Sequence, residues 1–290
     1  MNYIIFDLEW NNAYNYKLKK GTNEIVEIGA VKLNEKLDII DSFKQLIKPA
    51  LAKSLTNRFK NLTHITMDEI KKNGISFDAA FEEFSRWCGG GDLLFLSWSR
   101  SDLHTLVENY LIFKNTANID FIKKYADAQQ YCMNFIEGSS AGMQISLSNC
   151  AAEFDIEVDT ENLHRALEDC YLTALCLKKV FDDKLINDYI HECDIKFFER
   201  IVFKPFFINK ARYSTFDLAD IKLICQHCKK NLEIIKPYQF YNNAFTNIGK
   251  CPECKRSYWV NIRAKKTYDD IIVSSRVIEM NKKRAKKYQQ

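Results

Sequence analysis

No apolar run in this 290-residue chain is long enough to cross a bilayer. The N-terminus lacks the basic start, apolar stretch and small-residue cleavage site of a secretory signal. No internal repeat is visible. These absences argue against a membrane span, a membrane partner and secretion, and they predict a soluble intracellular protein, cytoplasmic in location. Wholesale disorder is excluded as well, because 47% of the residues are hydrophobic. The length suits one large domain or two smaller ones.

The net charge of +4 conceals an asymmetry. Residues 211–290 hold 17 Lys/Arg against 7 Asp/Glu, whereas residues 1–210 hold 25 against 31. A basic end on an acidic body suggests a polyanionic partner. Six of the ten cysteines are scattered (Cys88, Cys132, Cys150, Cys170, Cys176 and Cys193) and read as reduced core residues. The other four form two CxxC pairs, which suits a metal site in a reducing compartment.

The stretch YIIFDLEW, residues 3–10, reads as a buried strand, yet it carries Asp7 and Glu9. Side chains two apart on a strand share a face. Two carboxylates about 4 Å apart repel by roughly 4 kcal/mol at an effective dielectric of 20. A core strand does not normally tolerate that without a compensating cation.

Further strands are expected at 24–34, 38–49 and 92–98, with NNAYNYKLKKGTN, after the first strand, as a polar loop. Helices are expected in two short pieces over 54–73, then at 77–88, ended by Gly89-Gly90-Gly91, and at 101–114, 146–154 and 163–181. Residues 119–136 are ambiguous. Strands first, then alternating strand and helix, indicate an α/β domain over 1–185. A helical or irregular connector follows at 186–217.

Three more residues stand where chemistry could use them. Asp102 follows the strand at 92–98, where a capping aspartate would also be ordinary. His164 and Asp169 lie in HRALEDCYLTALC, where a helix-start histidine and an exposed helical acid would also be ordinary. Clustered carboxylates suit Mg²⁺ or Mn²⁺, which prefer hard oxygen ligands. A pair of such ions is the usual clamp for in-line attack at phosphorus, with a histidine of near-neutral pKa to take the water's proton.

The motifs FDLEW, LSWSRSDLHTL and HRALEDCYLTALC, in that order, resemble those of the DEDDh 3′–5′ exonucleases, most closely the branch with ERI-1-type and KapD-like enzymes. The resemblance covers roughly residues 1–185. It implies an RNase H-like fold, a mixed five-stranded sheet flanked by helices. It implies two Mg²⁺ or Mn²⁺ ions held by Asp7, Glu9, Asp102 and Asp169, with His164 as general base and nucleoside 5′-monophosphates as products. Many relatives carry Asn shortly before the second-motif Asp; here Trp98 and Ser99 occupy that stretch, so the contacts to the terminal nucleotide are expected to differ. Leu8, Trp10, Trp98 and Ser101 are the candidate substrate contacts, although simple core packing also suits Leu8.

Cys225-x2-Cys228 and Cys251-x2-Cys254 frame a second module over 218–266, which resembles a zinc ribbon with one structural Zn²⁺. Lys229, Lys230, Lys255, Arg256, Arg263, Lys265 and Lys266 lie there among Tyr238, Phe240, Tyr241, Phe245, Tyr258 and Trp259. Basic groups neutralise phosphates and aromatic rings stack on bases, which suits single-stranded nucleic acid; the rings could equally form the ribbon's own core. A basic tail is expected over 267–290. The function expected is a metal-dependent 3′–5′ exonuclease on single-stranded nucleic acid, RNA before DNA. The alternatives are a DNA exonuclease of repair or proofreading type and a non-catalytic adaptor for nucleic acid or protein.

Overall fold

The computed structural model describes residues 1–140, 143–157 and 165–280, and it divides into two compact units, Met1–Val202 and Phe203–Gln290. The first unit opens with three antiparallel strands, β1 (Asn2–Asn15), β2 (Lys20–Leu33) and β3 (Ile39–Leu46). Then come α1 (Asn57–Thr63), α2 (Met67–Asn73), α3 (Phe77–Cys88), β4 (Leu93–Ser97), α4 (Arg100–Phe113), β5 (Lys124–Asp127), α5 (Ala128–Met133), α6 (Leu147–Glu153), α7 (Ala166–Lys179), β6 (His191–Glu192) and α8 (Ile195–Val202). The sheet order is β3-β2-β1-β4-β5-β6, with β1/β4 and β4/β5 parallel. This is the expected mixed sheet of five strands, extended at one edge by the two-residue β6.

Period-2 alternation on β1 builds the two apolar layers. Ile4, Phe6 and Leu8 pack with Phe81, Phe84, Leu103 and Val107 from α3 and α4. Tyr3 and Ile5 pack on the other face with Cys132, Cys150, Cys170, Leu172 and Leu177 from α5, α6 and α7. Asp7 and Glu9 continue this second face, so it turns from apolar to acidic at mid-strand. Five of the scattered cysteines are buried and Cys193 is half-buried, and all six are free thiols.

The polar stretch after residue 10 is not a loop. Residues 11–15 and 20–23 continue β1 and β2 as a hairpin. Asn12 Nδ2 donates across it to Asn23 Oδ1 at 2.7 Å, and Asn15 Oδ1 accepts the N–H groups of Lys17 and Leu18 at the turn. Backbone pairing sustains strands there without an apolar face, which removes the periodic signal by which strands are recognised. The ambiguous segment 119–136 holds β5 and α5.

Loop 50–52 is fixed by a buried acid. Glu24 accepts the backbone N–H groups of Ala50, Leu51 and Ala52 at 2.5, 2.7 and 2.8 Å, which satisfies the charge without a cation.

The second unit holds β7 (Phe206–Phe207), the small pair β8 (Arg212–Tyr213) and β9 (Phe216–Asp217), then β10 (Glu233–Ile234), β11 (Gln239–Tyr241), β12 (Ala244–Lys250), β13 (Ser257–Lys266) and β14 (Ile271–Glu279). The main path runs β10-β12-β13-β14, with β11 paired to β12 and β7 to β13. The unit boundary falls inside the expected connector 186–217, because Ile186 and Phe198 are buried in the first unit's cores while Ile208 and Phe216 are buried in the second's. Residues 271–279 of the expected tail form a strand. The run IIVSSRV is β-branched enough to pair with β13 along its length, whatever the charge of its neighbours. Residues 281–290, with Lys282 to Lys287, lie outside the described residues. Among the described residues no helix is long and apolar enough to cross a membrane.

Candidate active site

Three elements bring acids to one place. β1 supplies Asp7 and Glu9, the first turn of α4 supplies Asp102, and the first turn of α7 supplies Asp169. Carboxylate oxygens of Asp7, Glu9 and Asp169 all lie within 4.8 Å of one another. Asp102 joins them from the side: its Oδ1 accepts the backbone N–H of Leu8 at 3.2 Å, between the two β1 acids in sequence. It is not the α4 cap, a position held by Ser99.

Two features of β2 shape the approach. Gly29 sits opposite Asp7, and a methyl group there would overlap Leu167 N and Ala166 C, so only glycine lets the start of α7 lie this close to the sheet. A bulge follows Glu9, where Trp10 pairs with Ile25 and Val26 is passed over. Bulges of this kind bend a strand and re-aim side chains next to sites.

The electrostatics are strained without cations. Burial, then Asp102, Glu9, Asp169 and Glu27, raise the Asp7 carboxyl well above the usual range. Burial, followed by the charges of Asp169, Glu27 and Asp102, pushes Glu9 up to about 9, with Arg165 opposing. Burial pushes Asp102 up to about 7 against the lowering effect of the Leu8 N–H. Hard oxygen donors, crowded and desolvated, are the donor set that Mg²⁺ or Mn²⁺ takes.

These acids line a cavity of about 520 Å³ together with Leu8, Trp10, Trp98 and Ser101. Leu8 is buried in the core, while Trp10 and Trp98 are half-buried and Ser101 is exposed. Trp98 Nε1 donates to Ile145 O at 3.2 Å, which holds the indole in place. Sequence reasoning noticed Ser99 in the second motif but did not name it as a contact, and it missed Arg58 and Leu147; all three line the cavity. Ser99 has φ +129°, a conformation that favours glycine, and its carbonyl accepts from Ser97 Oγ at 2.6 Å and Tyr125 Oη at 3.1 Å. No signal in the sequence marks Arg58, which arrives through the fold of α1. His164 lies outside the described residues.

In the second unit the thiols of Cys225, Cys228, Cys251 and Cys254 lie within 4.8 Å of one another. Cys228–Cys251 and Cys225–Cys254 Sγ distances are 3.3 and 3.6 Å. Burial opposes ionisation of Cys225, but the Cys228 N–H and the Tyr258 hydroxyl outweigh it and hold its pKa at about 6. β13 sorts the expected basic and aromatic residues: Tyr258 is core, and so is Phe245 on β12, whereas Arg263 and Lys265 are exposed. Arg276 on β14, opposite Asn261, is exposed on the same face. Arg256 is paired with Glu279 at 3.0 Å.

Several known proteins share this architecture. The nuclease domain of 3′hExo, a DEDDh family member, bound to rAMP, superposes with a TM-score of 0.52 at 19% identity, covering 64% of this chain and 92% of that one. Cell-death related nuclease 4 (CRN-4) gives 0.53 at 20%, covering 79% and 87%. A 3′-exonuclease solved for 3′-end specific recognition of a histone mRNA stem-loop gives 0.52 at 19%, covering 61% and 62%. At such identities the likeness speaks for the fold, which is RNase H-like. No curated protein matches the chain in sequence. The RNase_T exonuclease family model matches residues 4–177, the span that carries all four clustered acids, and the chain belongs to that exonuclease family.

Proposed function

We propose that this protein is a divalent-metal-dependent 3′–5′ exonuclease that removes nucleoside 5′-monophosphates from single-stranded nucleic acid, with RNA favoured over DNA. The observation that carries it is the meeting of Asp7, Glu9, Asp102 and Asp169, from three distant segments, in one cavity. These four would hold two Mg²⁺ or Mn²⁺ ions. Bound there, such ions lower the pKa of an attacking water and offset charge on the leaving oxygen. His164 takes the water's proton as general base, as the third motif implies. Trp10 and Trp98 offer ring faces to the terminal base and Ser101 a hydroxyl to the sugar, while Leu8 contributes mainly the backbone N–H that holds Asp102. Arg58, the one cation lining the cavity among the described residues, suits a substrate phosphate.

The preference for RNA draws on the resemblance of FDLEW and the Trp-containing second motif to a branch with many RNA-directed members. Of the similar structures, one is bound to rAMP and another concerns an mRNA stem-loop. The four cysteines would hold a structural Zn²⁺: a tetrahedron with Zn–S near 2.3 Å has S···S edges of about 3.8 Å, close to the 3.3 and 3.6 Å separations. Arg263, Lys265 and Arg276 offer the zinc module's sheet face to phosphates.

The test uses 3′-labelled and 5′-labelled single-stranded RNA and DNA with Mn²⁺. Stepwise shortening from the 3′ end, abolished by EDTA and by Asp7→Ala, is expected, with the higher kcat/KM on RNA. Internal cuts or no cleavage would refute the nuclease reading; a higher value on DNA would reverse only the substrate preference.

A further inference from the structure

The helix that carries Asp169 begins in an ion cluster that the chemistry above does not use. Glu27 on β2 is fully buried and lies directly opposite Glu9 in the β1/β2 ladder. Arg165, the residue before α7, grips it with two bonds: Nη2 donates to Glu27 Oε1 at 2.7 Å and Nε to Oε2 at 3.2 Å. The Ala166 N–H donates to the same Oε2 at 3.3 Å. Arg165 Nη2 also reaches Glu69 on α2 at 3.3 Å, and Lys44 on β3 stands 3.6 Å from Glu27.

α7 has no side-chain cap of its own; Arg165 occupies the cap position without a capping bond. The free N–H groups and partial positive charge of a helix start call for an acidic acceptor. Glu27 supplies one from another strand, so the cap is also a tether to the sheet. The tether lies two residues from Gly29, where α7 and β2 touch most closely. A bidentate arginine–carboxylate pair fixes orientation as well as distance.

We propose that the Glu27–Arg165 pair is a positioning latch that sets the first turn of α7 against β2, so that Asp169 meets Asp7 and Glu9 and the site attains its affinity for divalent cations. The proposal rests on the metal-dependent nuclease reading. Arg165 and Glu27 touch neither ion nor substrate in this account; they act through Asp169.

Charge and position make opposite demands here. Arg165 is a cation beside a site that attracts cations, so by charge alone its removal would tighten Mn²⁺ binding. Loss of a positioning group would weaken it. Calorimetric titration of the whole 290-residue chain, loaded with zinc, with Mn²⁺ reads the sign directly. Arg165→Gln is expected to lower Mn²⁺ affinity by about 10–100-fold, the usual cost of losing a group that orients a metal ligand. Arg165→Lys keeps the charge but not the fork, and a several-fold loss is expected. Unchanged or tighter binding in Arg165→Gln would overturn the latch, even if the melting temperature fell. Should that variant not fold, Arg165→Lys decides, and wild-type affinity there would overturn the latch. A wild-type protein that bound no Mn²⁺ outside the zinc module would refute the nuclease reading and the latch together, whereas intact binding in the variants would refute the latch alone.

Discussion

Gly29→Ala is the smallest change that should disable the site. The added methyl would lie 2.6 Å from Leu167 Cα and overlap two further backbone atoms, whereas ordinary contacts begin at 3.4 Å. None of these atoms ends a flexible side chain, so relief must come from backbone movement. The start of α7 must retreat by roughly 1 Å, carrying Asp169 with it; misplacement on that scale can cost about 100-fold in rate. Overpacking should cost a further 1–3 kcal/mol or so of stability, which for a unit of this size lowers Tm by about 2–10 °C. The assay is kcat on 3′-labelled RNA at saturating Mn²⁺, at a temperature where circular dichroism shows the variant folded. A folded variant with wild-type kcat would mean that the closeness of α7 to β2 does not place Asp169, and the account of the site's assembly would fail.

Other outcomes follow from the same geometry. Without metal, Asp102 and Glu9 bind protons more tightly folded than unfolded, with folded pKa values of about 7 and 9, so their contribution to stability is full below about pH 4 and lost as pH rises through those values. The metal-free Tm should therefore fall between pH 6 and pH 9.5, and saturating Mn²⁺ should abolish the fall; a metal-free Tm flat over that range would contradict the burial argument. Ser99→Gly should raise stability by about 1–3 kcal/mol by relieving the backbone at φ +129°, less the Ser101 N–H bond to its hydroxyl; a lower denaturation midpoint would show that the cap outweighs the strain. Replacing Cys251 and Cys254 with Ser should release zinc, measured by a colorimetric chelator, and unfold the second unit, since structural zinc supplies about 10–16 kcal/mol in small modules. Retained β-sheet ellipticity and protease resistance over residues 203–280 would count against a metal-dependent fold.

Much of the site was legible because its signals are local. Asp7 and Glu9 share a face by strand geometry alone, the two CxxC pairs are four residues long each, and the helices that carry Asp102 and Asp169 announce themselves by apolar spacing. The hairpin beyond residue 10 was not legible, because its strands are held by backbone pairing and the side chains they bury, Asn11, Asn15 and Thr22, are polar and make no apolar stripe. Nor was the split of the second unit's rings: Phe245 and Tyr258 went to the core and Tyr241 to the surface, as cross-strand register dictates. The strand at 271–279 was hidden among basic neighbours.

By itself the sequence determined which chemistry was available: an acid pair on one strand face, a further acid near a helix start, another within a helix, and four paired thiols. Only the tertiary structure decided that Glu24 is satisfied by three backbone N–H groups, that Glu27 serves α7 as a cap from a different strand, and that Gly29 is the point of closest approach. The physical reason is one of range. Alternation and helical period act over a few residues and are written in the chain, whereas the partners that Glu27 and Gly29 find at the start of α7 lie well over 100 residues away and exist only once β2 and α7 have packed.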